Sequence, residues 1–83
     1  MLTAAQMRAA RALLGIDQKQ LSRMSGVSLP TIQRMETSDG QVRGMIDTLV
    51  KVVAALDRAG IELINDNAAS SRGGRGVRLK EAT

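Results

Sequence analysis

Helix-length segments, three of them opened by a capping residue, dominate this 83-residue sequence. Ser, Thr and Asp side chains accept hydrogen bonds from the first free N–H groups of a helix, and glycine adopts the left-handed conformation that ends one. Apolar residues recur at helical spacing between these boundaries. The pattern predicts four helices: Ala4–Leu14 after Thr3, Gln18 to about Ser25 after Asp17, Leu29 to about Glu36 after Ser28, and Met45–Ala59 before Gly60.

The spacing of apolar residues changes after Gly60. Residues 61–65 and 76–80 are short strand-like runs, and the chain between them is rich in Asn, Ser and Gly. Two interpretations stay open: the runs pair as a hairpin around a long loop, or the chain beyond about residue 66 is a disordered basic tail. An isolated two-stranded hairpin is marginally stable in water, so the first interpretation favours pairing across a dimer.

The composition removes most enzyme mechanisms. The chain has no Cys and no His, which excludes disulfides, a cysteine nucleophile and the commonest general base and zinc ligand. Nothing in the sequence calls for a cofactor or a metal, and an enzyme is the least favoured class. Aromatic residues are also absent, although proteins that bind single-stranded nucleic acid usually stack bases on them. A basic chain of this composition fits duplex DNA better.

Charge is distributed unevenly along the chain. Residues 1–44 carry six basic and three acidic residues, residues 45–69 carry two basic and four acidic ones, and residues 70–83 carry four basic and one acidic. The front is therefore a candidate DNA face, and the middle is more suited to protein contacts. No apolar run approaches the roughly 20 residues that a membrane span needs, so we expect a cytoplasmic protein without a membrane partner.

The stretch from Gln18 to Glu36 carries the functional signal. It reads as two short helices joined by a turn that starts with a glycine, with small or apolar residues at 21, 22, 27 and 32 where the helices cross. Over residues 3–60 the chain resembles the Cro/CI-type (XRE) helix-turn-helix regulators. The resemblance implies a mainly α, compact four-helix domain (lambda-repressor-like) over 1–60. Residues 61–83 would form a C-terminal strand or hairpin extension, which serves in dimerisation or is partly disordered.

An arginine and a glutamate lie on helix faces that should point inward. Arg11 shares the face of Met7 and Leu14, and Glu36 shares the face of Ile32. Members of the resembled family often pair an arginine late in the first helix with a glutamate at the end of the recognition helix, the second helix of the helix-turn-helix motif. We call it the reading helix. A half-buried charge needs a partner, so we expect a structural ion pair. The alternative is that both side chains reach water independently.

The resemblance also transfers DNA-facing positions. Arg34 is the leading candidate for a base contact, because arginine bridges O6 and N7 of guanine. Gln33 would bond adenine or simply be an exposed helix residue, and Leu29 would contact a thymine methyl group. The family often has polar residues where this chain has Leu29 and Pro30. Fewer side chains here can hydrogen-bond to bases, which favours recognition of DNA shape and flexibility. Gln18 is similar to the family's phosphate-contacting glutamine, and Thr31, Arg8 and Arg43 are candidates for phosphate contacts, with solvated surface as the alternative for each of these three. The predicted DNA-facing set is Gln18, Ser28, Leu29, Pro30, Thr31, Gln33, Arg34, Arg8 and Arg43.

Three functional hypotheses follow from these observations. The first is a sequence-specific regulator of transcription, most simply a dimeric repressor on an inverted-repeat operator in double-stranded DNA. The second is an antitoxin or adaptor whose main partner is another protein, with DNA binding kept for autoregulation. An enzyme is the third. The homodimer of the first hypothesis would compensate for the thin core of a chain this short.

Overall fold

Four helices and a two-stranded antiparallel sheet make up the part of the chain that the computed structural model describes, residues 2–65 and 73–81. The predicted mainly helical fold is confirmed, and its strand-like runs pair as a hairpin. The last helix is one residue shorter at each end than predicted, because Met45 and Ala59 take its capping positions. The elements are α1 (Ala4–Leu14), α2 (Gln18–Ser25), α3 (Leu29–Glu36), α4 (Ile46–Arg58), β1 (Ile61–Ile64) and β2 (Gly76–Leu79).

Reciprocal hydrogen bonds fix the first two helix starts. The Thr3 hydroxyl accepts from the Gln6 N–H while the Gln6 side chain accepts from the Thr3 N–H, and Asp17 and Gln20 repeat this arrangement at α2. The start of α3 differs from the expectation. Ser28 occupies the N-cap position, but its hydroxyl donates to Oγ1 of Thr31 at 2.9 Å and caps no backbone N–H.

The core lies between the helices and receives the first residue of the hairpin. Its largest side chains are at most 1% exposed. They come from all four helices, from β1 and from the segment that precedes α1: Leu2, Met7, Leu21, Ile32, Val52, Leu56 and Ile61. Within the described ranges the longest helix has 13 residues, and none is long and apolar enough to cross a membrane.

A buried glutamine connects the hairpin to α1. Gln6 is 3% exposed, and its amide nitrogen donates to the carbonyl oxygens of Ile64 at 3.0 Å and Gly76 at 3.1 Å. These two residues face each other in the register of β1 and β2. The side-chain oxygen of Gln6 meanwhile accepts from the Thr3 N–H at 2.9 Å. One side chain therefore satisfies backbone groups in both the helix start and the sheet.

Replacing Gln6 tests this connection. Gln6→Ala leaves two carbonyls of the hairpin without a donor, and we expect a loss of about 2 kcal/mol in the free energy of unfolding. Amide hydrogen exchange should also accelerate in β1 and β2. The matched control is Gln20→Ala, which removes the same capping residue from the exposed start of α2 and should cost about 1 kcal/mol or less. Equal losses for the two variants would contradict the proposed role of Gln6.

Candidate nucleic-acid interface

The crossing of α2 and α3 is held by buried side chains and by hydrogen bonds to the turn between the helices. Leu21 and Ile32 are both fully buried at the crossing. The Ser22 hydroxyl donates to the Val27 carbonyl at 2.6 Å, and the Val27 N–H donates to the Ser25 hydroxyl at 3.2 Å. The angle between the two helices is therefore set by the protein itself before any ligand binds.

Helix α3 divides into a buried face and an exposed face. Ile32 and Met35 are buried, whereas Gln33 and Arg34 between them are exposed. Pro30 is exposed in the first turn, where its missing N–H leaves no helical hydrogen bond unmade. Side chains on the exposed face point away from the core and are accessible to base edges in a DNA groove.

A short chain of hydrogen bonds lies along this exposed face. Nη2 of Arg34 donates to Oγ1 of Thr31 at 3.0 Å, and the Ser28 hydroxyl donates to the same oxygen at 2.9 Å. The arginine is therefore held beside its own helix, with most of its donors directed to solvent. A guanidinium positioned in this way loses less conformational freedom when it binds a planar acceptor pair.

A buried carboxylate joins the end of α3 to α1 and α2. Glu36 is 4% exposed and accepts from Nε and Nη2 of Arg11, each at 2.7 Å, and from the amide of Gln18 at 3.2 Å. Donation of these hydrogen bonds to Glu36 raises the pKa of Arg11 above its ordinary value. Nη1 of Arg8 donates to the backbone carbonyl of Glu36. Three side chains, two from α1 and one from α2, therefore bond to the last residue of α3.

All predicted DNA-facing residues except Arg8, which lies on α1, fall into three places. Ser28 and Pro30 are exposed at the start of α3. A shallow hollow on one side of that helix brings together Gln18, Leu29 and Gln33, and a cleft of about 440 Å³ on the other side is lined by Thr31, Arg34 and Arg43 among others. The side chains of Arg8 and Gln18 bond to Glu36 in this structure, so the phosphate contacts expected of them stay predictions.

Sequence reasoning missed one basic residue of this surface. Lys19 is exposed and lines the same hollow as Gln18, Leu29 and Gln33. Its position in the first turn of α2, next to Gln18, is the signal that would have found it. Together with Arg34 and Arg43 it gives the interface an exposed positive charge on both sides of α3.

Two comparisons with known proteins bear on this geometry. A family model described as helix-turn-helix matches residues 7–63, which is well over half of the chain. A protein of Haemophilus influenzae whose printed name is uncharacterized HTH-type transcriptional regulator is 46% identical over 48 residues. The aligned stretch covers 58% of this chain and 47% of the relative, so the chain spans about half the length of the protein it matches.

Proposed function

Because this chain belongs to the helix-turn-helix family of the Cro/CI (XRE) type, we propose that it is a regulator of transcription that binds double-stranded DNA in a sequence-specific way. Helix α3 would enter the major groove with its exposed face toward the bases. Residues 1–60 would carry the DNA contacts, with residues 61–83 as a supporting extension. A regulator with this role works in the compartment that holds the DNA, which we take to be the cytoplasm.

The observation that carries the proposal is the pair of adjacent exposed side chains on α3. Gln33 and Arg34 project from a helix whose opposite face, Ile32 and Met35, is buried against the rest of the domain. Arginine makes bidentate hydrogen bonds to guanine, and glutamine makes them to adenine, in the major groove. Arg34 would read a guanine and Gln33 an adenine, while Lys19 and Arg43 would meet phosphates on either side.

We further propose that the regulator acts as a dimeric repressor on an inverted repeat. Two copies related by a two-fold axis present two reading helices, which match half-sites about 34 Å apart, or one turn of DNA. The small core and the exposed apolar residues of α4 support this state. Repression is the simplest outcome for a domain that covers an operator, because it needs no contact with the transcription machinery.

A gel shift with DNA from immediately upstream of the protein's own gene tests the proposal. The salt concentration would be about 150 mM, since DNA affinity depends strongly on salt. A duplex of shuffled sequence is the control. We expect the native duplex to shift at a concentration at least about 1,000-fold lower than the shuffled one, as for other specific regulators. Equal binding to both duplexes would leave only general phosphate affinity and would overturn sequence-specific function at this site.

The dependence of affinity on salt is a separate prediction. If a dimer neutralises about six phosphates, its affinity should fall roughly 10³-fold between 50 and 200 mM salt, because each contact releases condensed counterions from the duplex. Lys19→Ala should reduce the slope of log affinity against log salt by about two in a dimer, one for each copy. Fluorescence anisotropy over a salt series measures both values, and an unchanged slope would remove Lys19 from the interface.

An antitoxin or adaptor role is the second candidate. It is favoured by the two-stranded sheet, because each strand pairs on one side only within the described residues and leaves the other side for strand addition. The measurement is purification of the tagged chain from its own cells, with the Arg34→Ala variant in parallel. A partner in equal amount that stays bound to the variant would support this role, and its absence would count against it.

A further inference from the structure

Helix α4 carries a contiguous apolar surface that nothing in the described chain covers. Met45, Ile46 and Val50 are 74%, 71% and 50% exposed, and Leu49 and Val53 beside them are half-buried. We call these five residues the α4 patch. Single exposed apolar side chains are ordinary, but a cluster of this kind on a small domain marks an interaction surface.

Two opposite charges border the α4 patch. Asp47 and Lys51 are one helical turn apart, so they lie along the same edge of the patch. Within residues 2–65 and 73–81 neither side chain has an ion pair or a hydrogen bond. Two acidic residues further along the chain are paired instead, Asp57 with Lys80 and Glu62 with Arg78.

The order of these charges makes the edge complementary to itself. When two copies of α4 lie antiparallel about a two-fold axis, edges of the same kind face each other. Asp47 then lies opposite the partner's Lys51, and Lys51 lies opposite the partner's Asp47. The axis passes near Leu49, midway between the two charges and in the middle of the α4 patch. A two-fold interface requires this kind of self-complementarity.

We propose that a second copy of this chain docks on the α4 patch, with the two α4 helices antiparallel and Asp47 and Lys51 paired across the interface. The docked copy would cover the exposed side of Ile46 and Val50 that the core of one chain leaves open. This inference identifies the surface through which the proposed dimer forms. Its link to DNA binding rests on the proposed function, whereas the interface itself does not.

The position of the patch suits paired DNA sites. Met45 and Leu49 line the same cleft as Arg34 and Arg43, so the patch adjoins the end of the reading helix. Two copies docked through the patch would therefore bring their DNA-facing clefts side by side across the two-fold axis, as paired half-sites require.

Charge reversal at the edge provides the main test, and it leaves the core untouched. Sedimentation equilibrium would be run on the wild type, Asp47→Lys and Lys51→Asp at low salt. Each single variant puts like charges opposite each other twice, and we expect its dimer to be at least about tenfold weaker. In an equimolar mixture of the two variants opposite charges face again, so a heterodimer of near wild-type strength should form.

Substitution of the apolar centre provides a second, independent test. Val50→Glu should reduce dimer affinity by about 100-fold or more, because it places a charge in the middle of the interface. The matched control is Leu79→Glu on β2, since Leu79 is also 50% exposed. It should leave the dimer unchanged. Both variants should keep the melting temperature of the monomer, measured at low concentration, within a few degrees.

Three results would overturn the proposal. One is a wild type that stays monomeric at about 100 µM, a concentration at which a Kd of 1 µM gives nearly complete dimer. Another is a mixture of charge variants that fails to form the heterodimer. The third is dissociation by Leu79→Glu but not by Val50→Glu, which would place the interface on the hairpin. None of these measurements uses DNA, so their outcome is separate from that of the gel shift.

Discussion

Arg11→Ala is expected to lower the free energy of unfolding by about 3 to 5 kcal/mol, more than any other single change of an arginine in this chain. The variant leaves the carboxylate of Glu36 in place, 4% exposed, with only the amide of Gln18 still donating to it. A buried charge without its partner retains its desolvation penalty but loses the electrostatic attraction that compensated for it. Thermal and urea unfolding measure the loss.

The exposed ion pair of the hairpin is the control for Arg11. Arg78 donates to Glu62 at 2.8 Å, but both side chains are largely in solvent, at 64% and 44% exposed. Arg78→Ala removes the same charge and the same kind of pair, and it should cost at most about 1 kcal/mol. For a domain of this size 1 kcal/mol corresponds to about 4–8 °C, so the two variants should differ in melting temperature by 10 °C or more.

A double variant keeps this prediction testable even if Arg11→Ala fails to fold. Arg11→Met with Glu36→Leu replaces the whole ion pair by apolar side chains of similar size. Replacing a buried pair in this way is often neutral or stabilising, so the double variant should fold with near wild-type stability. If Arg11→Ala proves as stable as Arg78→Ala, the Glu36 carboxylate must be hydrated or hydrogen-bonded to another donor. That result would contradict the structural role of the ion pair.

Arg34→Ala is expected to weaken binding to the specific duplex by about 30-fold to 10⁴-fold. One two-pronged contact to guanine contributes about 1–3 kcal/mol, and a dimer on an inverted repeat makes that contact twice. Binding to shuffled DNA should change much less, because only the charge of Arg34 contributes there. The fold should be unaffected, since the Arg34 side chain is exposed and, among the described residues, hydrogen-bonds only to Thr31 of its own helix.

The lysine variant separates the two contributions of Arg34. Arg34→Lys keeps the positive charge but loses the planar pair of donors, so it should retain affinity for shuffled DNA while losing most of the preference for the native duplex. Arg78→Ala serves as the control for loss of positive charge outside the interface. If Arg34→Ala and Arg78→Ala bind the native duplex with equal affinity, Arg34 makes no specific base contact. Anisotropy titrations at one stated salt concentration make the comparison.

Helix limits and the separation of faces were predictable because they depend on nearby residues. Capping boxes act over three residues and helical periodicity over four, so the bounds of α1, α2 and α3 were predicted from local sequence. The inward positions of Arg11 and Glu36 were predictable by the same logic. The role of Arg8 was not, because its donor meets a backbone carbonyl 28 residues away that becomes available only when α1 packs against α3.

The buried role of Gln6 was missed for a similar reason. Its capping function is local, but its two bonds to the hairpin span 58 and 70 residues. A glutamine in the first turn of a helix has the same local signature whether it is exposed, as at Gln20, or buried. Long-range contacts of this kind depend on where the chain returns to the helix, which the spacing of residues does not encode.

The division of α3 has a consequence for how recognition can change over time. Pro30, Gln33 and Arg34 are exposed, whereas Ile32 and Glu36 on the same helix are buried in contacts with other elements. Substitutions at the exposed positions therefore leave the folded scaffold almost undisturbed. If the proposed function holds, duplicated copies of this gene would acquire new operator preferences through two or three substitutions at these positions, with little expected effect on stability.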